Sequence, residues 1–249
     1  KDNWWCGNPG IKMVFIAGQN EVKLDEESHV YTRNGERLTS VSRLIHNYTN
    51  EFDEDGVITA RCAARNGLTV EEQKAEWRKI NEDSIIRGHS FHDDLETYIK
   101  TKKVPDINNQ EIIKQFSKIK FDGLLYSEVR LWHNQYKIAG TSDIIELLPD
   151  NSLNIWDLKS NKKITGYSWG RKMLYPLNHI WDANLYHYTI QLQLYKFMLE
   201  EAGWWVRNMT ILFIDPKKNK LKQIPINGCR DDVIMMLEHY QKNYQLINK

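Results

Sequence analysis

The chain has 249 residues, 41% of them hydrophobic, enough to bury the core of one large domain. Its 34 basic and 33 acidic side chains nearly cancel, which excludes a protein held to nucleic acid by a global positive field, so any such charge has to be local. Three cysteines, Cys6, Cys62 and Cys229, odd in number and far apart, argue against a disulfide framework or a zinc site and point to a reducing compartment, the cytoplasm. No apolar run approaches the roughly 20 residues of a bilayer span and the first residues lack a basic-then-apolar leader, so no membrane role is expected.

Taken in chain order, residues 1–20 read as an irregular arm with one short strand at Met13–Ala17, a segment that could grip a protein partner. Asn34-Gly35 between the β-prone flanks Val30–Arg33 and Glu36–Leu38 predicts a hairpin. Ser40 then stands as an N-cap ahead of Val41, Leu44 and Ile45. Residues 57–100 predict helix, interrupted where Gly67 ends one segment and Thr69 with Glu72 forms a capping box that starts the next. The later part of that helix carries Ile85, His89, His92, Leu95, Glu96 and Ile99, an apolar stripe broken by polar groups. A further helix is expected at Gln110–Lys120, with Ile112, Ile113, Phe116 and Ile119 inward.

From residue 124 the period changes to that of strands, predicting a meander of Leu125–Trp132, Tyr136–Leu147 and Leu153–Lys159. An aromatic-rich loop follows, then a helix at Leu185–Glu201 closed by Gly203, strands at Met209–Ile214 and Leu221–Ile226, and a last helix from Arg230. The chain divides into an arm and hairpin (1–39), a helical region (40–120) and an α/β core (121–249), read together as a single domain.

Chemistry concentrates on the meander. Asp143 lies inside its second strand and Asp157 near the end of its third, where antiparallel pairing lets two carboxylates meet. Side chains at i and i+2 share a strand face, so Asp157 and Lys159 point at one spot with Ile155, while Trp156 and Leu158 point away. Two carboxylates and an ammonium are what metal-assisted phosphodiester hydrolysis asks for: oxygen ligands for a hard cation, and a positive group beside the attacking water. The competing reading is a cross-strand salt bridge. The apolar flanks Ile144-Ile145 and Leu153, Ile155, Trp156 weigh against it, because paired carboxylates in such strands are costly without a cation.

Gly140-Thr141-Ser142-Asp143, then Asp157-Leu158-Lys159, then Gln191-Leu192-Gln193-Leu194-Tyr195 form the ordered series G-x-x-D, D-x-K, Q-x-x-x-Y on strand, strand and helix. With Gly88–His92 upstream, this series resembles the PD-(D/E)XK nuclease superfamily in its RecB-like exonuclease branch. Ser40-Val41-Ser42 and Trp77 bring it nearest to phage-type and mitochondrial genome maintenance exonuclease-like members. The resemblance implies an α/β fold with a restriction-endonuclease-like core, a mixed β-sheet with an antiparallel meander flanked by the His92 and Gln191 helices. It also implies a DNA exonuclease dependent on Mg²⁺ or Mn²⁺, cytoplasmic or virus-encoded and acting in the host cytoplasm.

Carried over residue by residue, the resemblance makes Asp143 and Asp157 metal ligands, adds the Leu158 backbone carbonyl and His92, makes Lys159 the catalytic lysine, and gives Glu128, Gln191 and Tyr195 supporting catalytic places. Each supporting place has a rival: His92 as a histidine bonded to Glu96 one turn on, Gln191 and Tyr195 as a helix–sheet contact, Glu128 as a solvent-facing acid. Branches with an iron–sulfur cluster use four cysteines, so no cluster is expected with three. DNA contact is expected in the acid-free run after the lysine, at Lys162, Lys163, Arg171 and Lys172 with Tyr167, Trp169 and Tyr175 interleaved, single or double strands being left open. The alternatives are a structure-specific endonuclease on the same scaffold, or a nucleic-acid-binding or virion-associated protein that keeps the fold without the reaction.

Overall fold

The computed structural model describes residues 21–51, 56–105 and 109–247, the side chains of 244–247 excepted; the expected strand at Met13–Ala17 and the arm it belongs to lie outside these. Eight strands, β1 (Val22–Asp25), β2 (Val30–Arg33), β3 (Glu36–Ser40), β4 (Leu124–His133), β5 (Ile138–Leu147), β6 (Leu153–Lys159), β7 (Val206–Asp215) and β8 (Lys220–Ile226), form one open mixed sheet. Six helices accompany it among the described residues: α1 (Val41–His46), α2 (Val57–Asn66), α3 (Val70–Thr101), α4 (Gln110–Phe116), α5 (Asn184–Glu201) and α6 (Arg230–Ile247).

Local signals explain most of the boundaries. Asn34 and Gly35 both take positive φ, 51° and 80°, the requirement of the two-residue turn that joins twisted strands. Ser40 accepts a hydrogen bond from the Arg43 amide at 3.2 Å, capping α1. Gly67 ends α2 in the left-handed region at φ 69°, and Thr69 with Glu72 closes both halves of a capping box at the start of α3. Two boundaries differ from the sequence expectation. The helix expected to reach Lys120 stops at Phe116, and the amides of Lys118 and Ile119 tighten onto carbonyls three residues back. The strand expected from Tyr136 begins at Ile138, because Lys137 turns the chain with φ 53°.

β4, β5 and β6 form the expected antiparallel meander, and β7 adds to β6 in parallel with β8 antiparallel beyond it. The sheet is covered on both faces. On one, Ile145 and Ile155 pack with α1, α5 and α6 in the main core; on the other, Ile144 and Leu158 pack with Phe91 and Leu95 of α3 and Ile113 of α4. The apolar residues around Asp157 are therefore core residues of two layers, as their mixed alternation requires.

The feature that positions the site is a gap. β4 covers one edge of β5 along its length. The opposite edge is shared: β3 pairs with it in parallel at Ile138 and Ala139, and β6 pairs with it from Ile144 onward. Gly140 to Asp143 thus have no strand neighbour on that edge, and the sheet opens there. No described helix is long and apolar enough to cross a membrane.

Candidate active site

The gap in the β5 edge is the floor of a cleft of about 580 Å³ whose lining includes Gly140, Thr141, Asp143, Glu128, His92, Gln191 and Tyr195. The β5–β6 register runs from Leu147↔Leu153 to Ile144↔Trp156, so the next step faces Asp143 toward Asp157. There the ladder bond gives way to a side chain: Asp143 Oδ2 accepts the Leu158 amide at 2.6 Å. The strands fork around this carboxylate, and Asp143 is among the residues lining the cleft.

Three elements converge on that carboxylate. His92 of α3 brings Nδ1 to 3.8 Å from Asp143 Oδ1 and 3.4 Å from Glu128 Oε1. The donor atoms of His92, Glu128 and Asp143 all lie within 4.8 Å of one another. A cation about 2.1 Å from each ligand spans about 4.2 Å between opposite ligands, so a small closure would bring all three into one coordination sphere. Glu128 falls between the pairs Ser127↔Ile144 and Val129↔Ser142 and has φ 52°, a conformation that costs a non-glycine residue free energy. Strain at that one position of β4 swings its carboxylate toward His92.

Asp157, next in register across from Asp143 but outside that trio, is 1% exposed. Lys159 Nζ pairs with its Oδ2 at 2.6 Å, and Oδ1 has no partner among the described residues. An ionised carboxylate so placed is costly, and its pKa shows it: burial pushes Asp157 up to about 6, the nearby Asp143 charge adds to the rise, and Lys159 opposes it. At Lys159, burial disfavours the ammonium but the Asp157 and Asp143 charges outweigh it, so the group is held above its ordinary value and stays a cation. At His92, burial likewise disfavours the cation, yet Asp143 and Glu128 raise it to about 9. The site is thus rich in negative charge that one histidine and one lysine only partly offset. The buried, unpartnered Oδ1 of Asp157, with the His92–Glu128–Asp143 trio, fits a hard divalent cation. The Leu158 amide is engaged by Asp143.

Gln191 and Tyr195 of α5 close the site from the other side. Gln191 Nε2 donates to Tyr195 Oη at 3.0 Å. The Tyr195 ring rests on Gly140, where an added Cβ would meet it at 2.7 Å and Val41 at 3.1 Å. The glycine of G-x-x-D and the tyrosine of Q-x-x-x-Y are therefore one packing unit, which the linear motifs do not reveal. Burial, followed by the Asp157 charge, puts the Tyr195 phenol well above its ordinary value, so it stays neutral.

Sequence reasoning missed Tyr188. Its ring lies 4.9 Å from Lys159 Nζ and its hydroxyl donates to Asn161 Oδ1 at 2.5 Å, walling the ammonium in. The i, i+3, i+7 spacing of Tyr188, Gln191 and Tyr195 on one helix face was the available signal. In the loop that follows, Lys162 and Lys163 are exposed, and Tyr167 and Trp169 stand out as an edge-to-face pair 5.2 Å apart, 63% and 86% exposed. Arg171 and Lys172 are held by the fold: Arg171 donates to the Glu51 carbonyl at 3.1 Å, and Lys172 donates to the His179 carbonyl at 3.0 Å while lying over Trp181.

No protein-family profile and no curated protein matches the chain. Among solved structures it is similar to the crystal structure of SSO0001, at 17% identity and a TM-score of 0.43, over 93% of this chain and 86% of that one. It is also similar to a Eubacterium rectale protein named "putative exonuclease", at 9% identity and a TM-score of 0.39, over 66% of this chain and 65% of that one. Likeness at this level transfers no chemistry, so function has to be read from the side chains.

Proposed function

We propose that the chain is a metal-dependent deoxyribonuclease of PD-(D/E)XK type that hydrolyses phosphodiester bonds as an exonuclease, with Mg²⁺ or Mn²⁺ as its cation. The observation that carries this reading is the buried, partnerless carboxylate oxygen of Asp157 beside the His92–Glu128–Asp143 trio, with the Lys159 ammonium 2.6 Å away. Asp143 and Asp157 would hold the cation, with His92, Glu128 and the Leu158 carbonyl as supporting ligands; mixed imidazole and carboxylate donors suit Mn²⁺ as well as Mg²⁺.

A hard divalent cation supplies Lewis-acid polarisation of the phosphate and a more acidic water. Everything else is the work of the chain. Lys159, kept protonated by its two aspartates, donates toward the attacking water or the phosphate oxygen on which charge builds. Tyr188 walls that ammonium in, where its field acts at lower dielectric than in water. Gln191 orients the Tyr195 hydroxyl, and with Gly140 fixes how close α5 approaches the fork. Lys162 and Lys163, with Tyr167 and Trp169, offer charge and stacking surface to DNA on the loop that leaves Lys159. The preference for exonuclease over endonuclease comes from the resemblance of the motif series.

The test is degradation of end-labelled linear and closed circular DNA by purified protein with Mg²⁺, Mn²⁺ or EDTA. Linear DNA should shorten with either metal and not with EDTA, and circular DNA should survive. Cleavage of the circle would move the reading to an endonuclease, and failure of both with either metal would refute it.

A further inference from the structure

Beside the acidic cleft lies a second cavity, of about 680 Å³, built from β3, α1, the 174–175 loop and α6. Arg37, Arg43, His29, His239, Asn47 and Tyr175 are in its lining, and no aspartate or glutamate is, among the described residues. The contrast with its neighbour is sharp, since Glu26, Asp93, Glu96, Glu128 and Asp143 line the first cleft. His29 and Ser40 belong to both cavities, so the two join. Arg37 and Arg43 are exposed, and neither is paired with a described carboxylate.

We infer that this second cavity binds the stretch of an unpaired nucleic-acid strand that flanks the scissile phosphate, with Arg37 and Arg43 on its phosphates and Tyr175 against a base. The inference rests on the nuclease reading of the first cleft. A phosphate held at the Asp143 fork has neighbours along its strand, and the acids at the mouth of that cleft repel them. Across Ser40 the chain offers exposed guanidiniums with no carboxylate partner among the described residues, which match phosphate oxygens in a planar fork of donors. Ser40 marks the boundary because it ends β3 and caps α1, so Arg37 and Arg43 sit on either side of it within six residues. Tyr175 is 69% exposed and stands edge-on to His239 at 5.3 Å between ring centres, which leaves its outer face open. A ring of that kind accepts an unpaired base, and a base-paired one cannot reach it.

The experiment measures binding of fluorescent single-stranded and duplex oligonucleotides by anisotropy in EDTA across a salt series, for wild type, Arg37→Ala/Arg43→Ala and Tyr175→Ala. Hydrolysis of a small aryl phosphodiester with Mn²⁺ is measured in parallel; it does not need the second cavity. Removing both arginines should weaken single-strand binding about 25-fold near 0.1 M salt and reduce the salt slope by about 1.4, the release of counterions at two phosphates. Tyr175→Ala should weaken it roughly tenfold with little change in slope. Hydrolysis of the small diester should be unchanged in every variant. Wild-type affinity and slope in the arginine variant would overturn the inference even if the diester is cleaved, and a defect confined to duplex binding would overturn the assignment to an unpaired strand. If wild type cleaves no diester yet the double-arginine variant loses strand binding, the nuclease reading fails and the cavity's assignment stands.

Discussion

Replacing Asp157 by asparagine should stabilise the metal-free protein while removing its activity. The carboxyl is pushed up to about 6 from an ordinary 3.8, mainly by burial, so the folded state binds this proton more tightly than the unfolded chain does. For a group raised in this way, ionisation costs stability progressively as pH rises from 3.8 through about 6, and the full cost is present above pH 7. That cost is about 3 kcal/mol, already net of the attraction to Lys159. Asparagine keeps the shape and the oxygen near Lys159 but has no charge to bury. In EDTA at pH 8 the variant should therefore melt about 6 to 12 °C higher than wild type, at the about 2–4 °C per kcal/mol usual for a chain of this size. At pH 4 the difference should shrink to about a fifth of this, because folded wild type is then protonated. Mg²⁺ should narrow the gap: wild type gains about 2.7 kcal/mol at a hundredfold excess over its Kd, and the variant, short of one ligand charge, gains less. Calorimetry of both proteins at the two pH values, with EDTA and with Mg²⁺, reads all of this. A variant that melts below wild type at pH 8 in EDTA would show that Asp157 is a stabilising partner of Lys159 rather than a strained ligand.

Other outcomes follow from the same geometry. Asp157→Ala should lose metal binding and cleavage together, whereas Lys159→Ala should bind metal by titration calorimetry and lose most turnover, with DNA binding preserved in both. Because His92 is raised to about 9 in the metal-free site, a cation has to displace its proton, so metal affinity should climb with pH up to about 9 and His92→Gln should flatten that dependence. Gly140→Ala would put a methyl group 2.7 Å from the Tyr195 ring, so it should cost about 1–3 kcal/mol by urea melting, and Tyr195→Leu in the same chain should recover part of that loss.

Much of the architecture was legible in the sequence because its signals are local. Asn34-Gly35, the Ser40 cap, Gly67 and the Thr69–Glu72 box act within one turn of chain, and the structure places each boundary where they put it. The alternation around Asp157 and Lys159 likewise forces both onto one face, whatever the partners of β6. The Gln110 helix and the start of β5 read less well, since a tightened last turn and a left-handed Lys137 leave no mark in hydrophobic periodicity.

What tertiary structure alone decided is the opening of the site. No local rule says that β3 leaves β5 at Ala139 and β6 joins it at Ile144, yet that gap exposes Asp143. Nor does sequence spacing say that Glu128 lies left-handed opposite the gap, that His92 reaches both acids, or that Tyr195 needs Gly140 beneath it, because these are contacts between segments dozens of residues apart. Charge shows the same limit. The run from Lys162 to Lys172 was visible as basic, but the fold ties up Arg171 and Lys172 in backbone bonds and leaves Arg37 and Arg43 exposed beside the cleft, with no carboxylate partner among the described residues. A sequence lists which cations exist; their availability depends on which carbonyls and carboxylates folding brings within reach of each one.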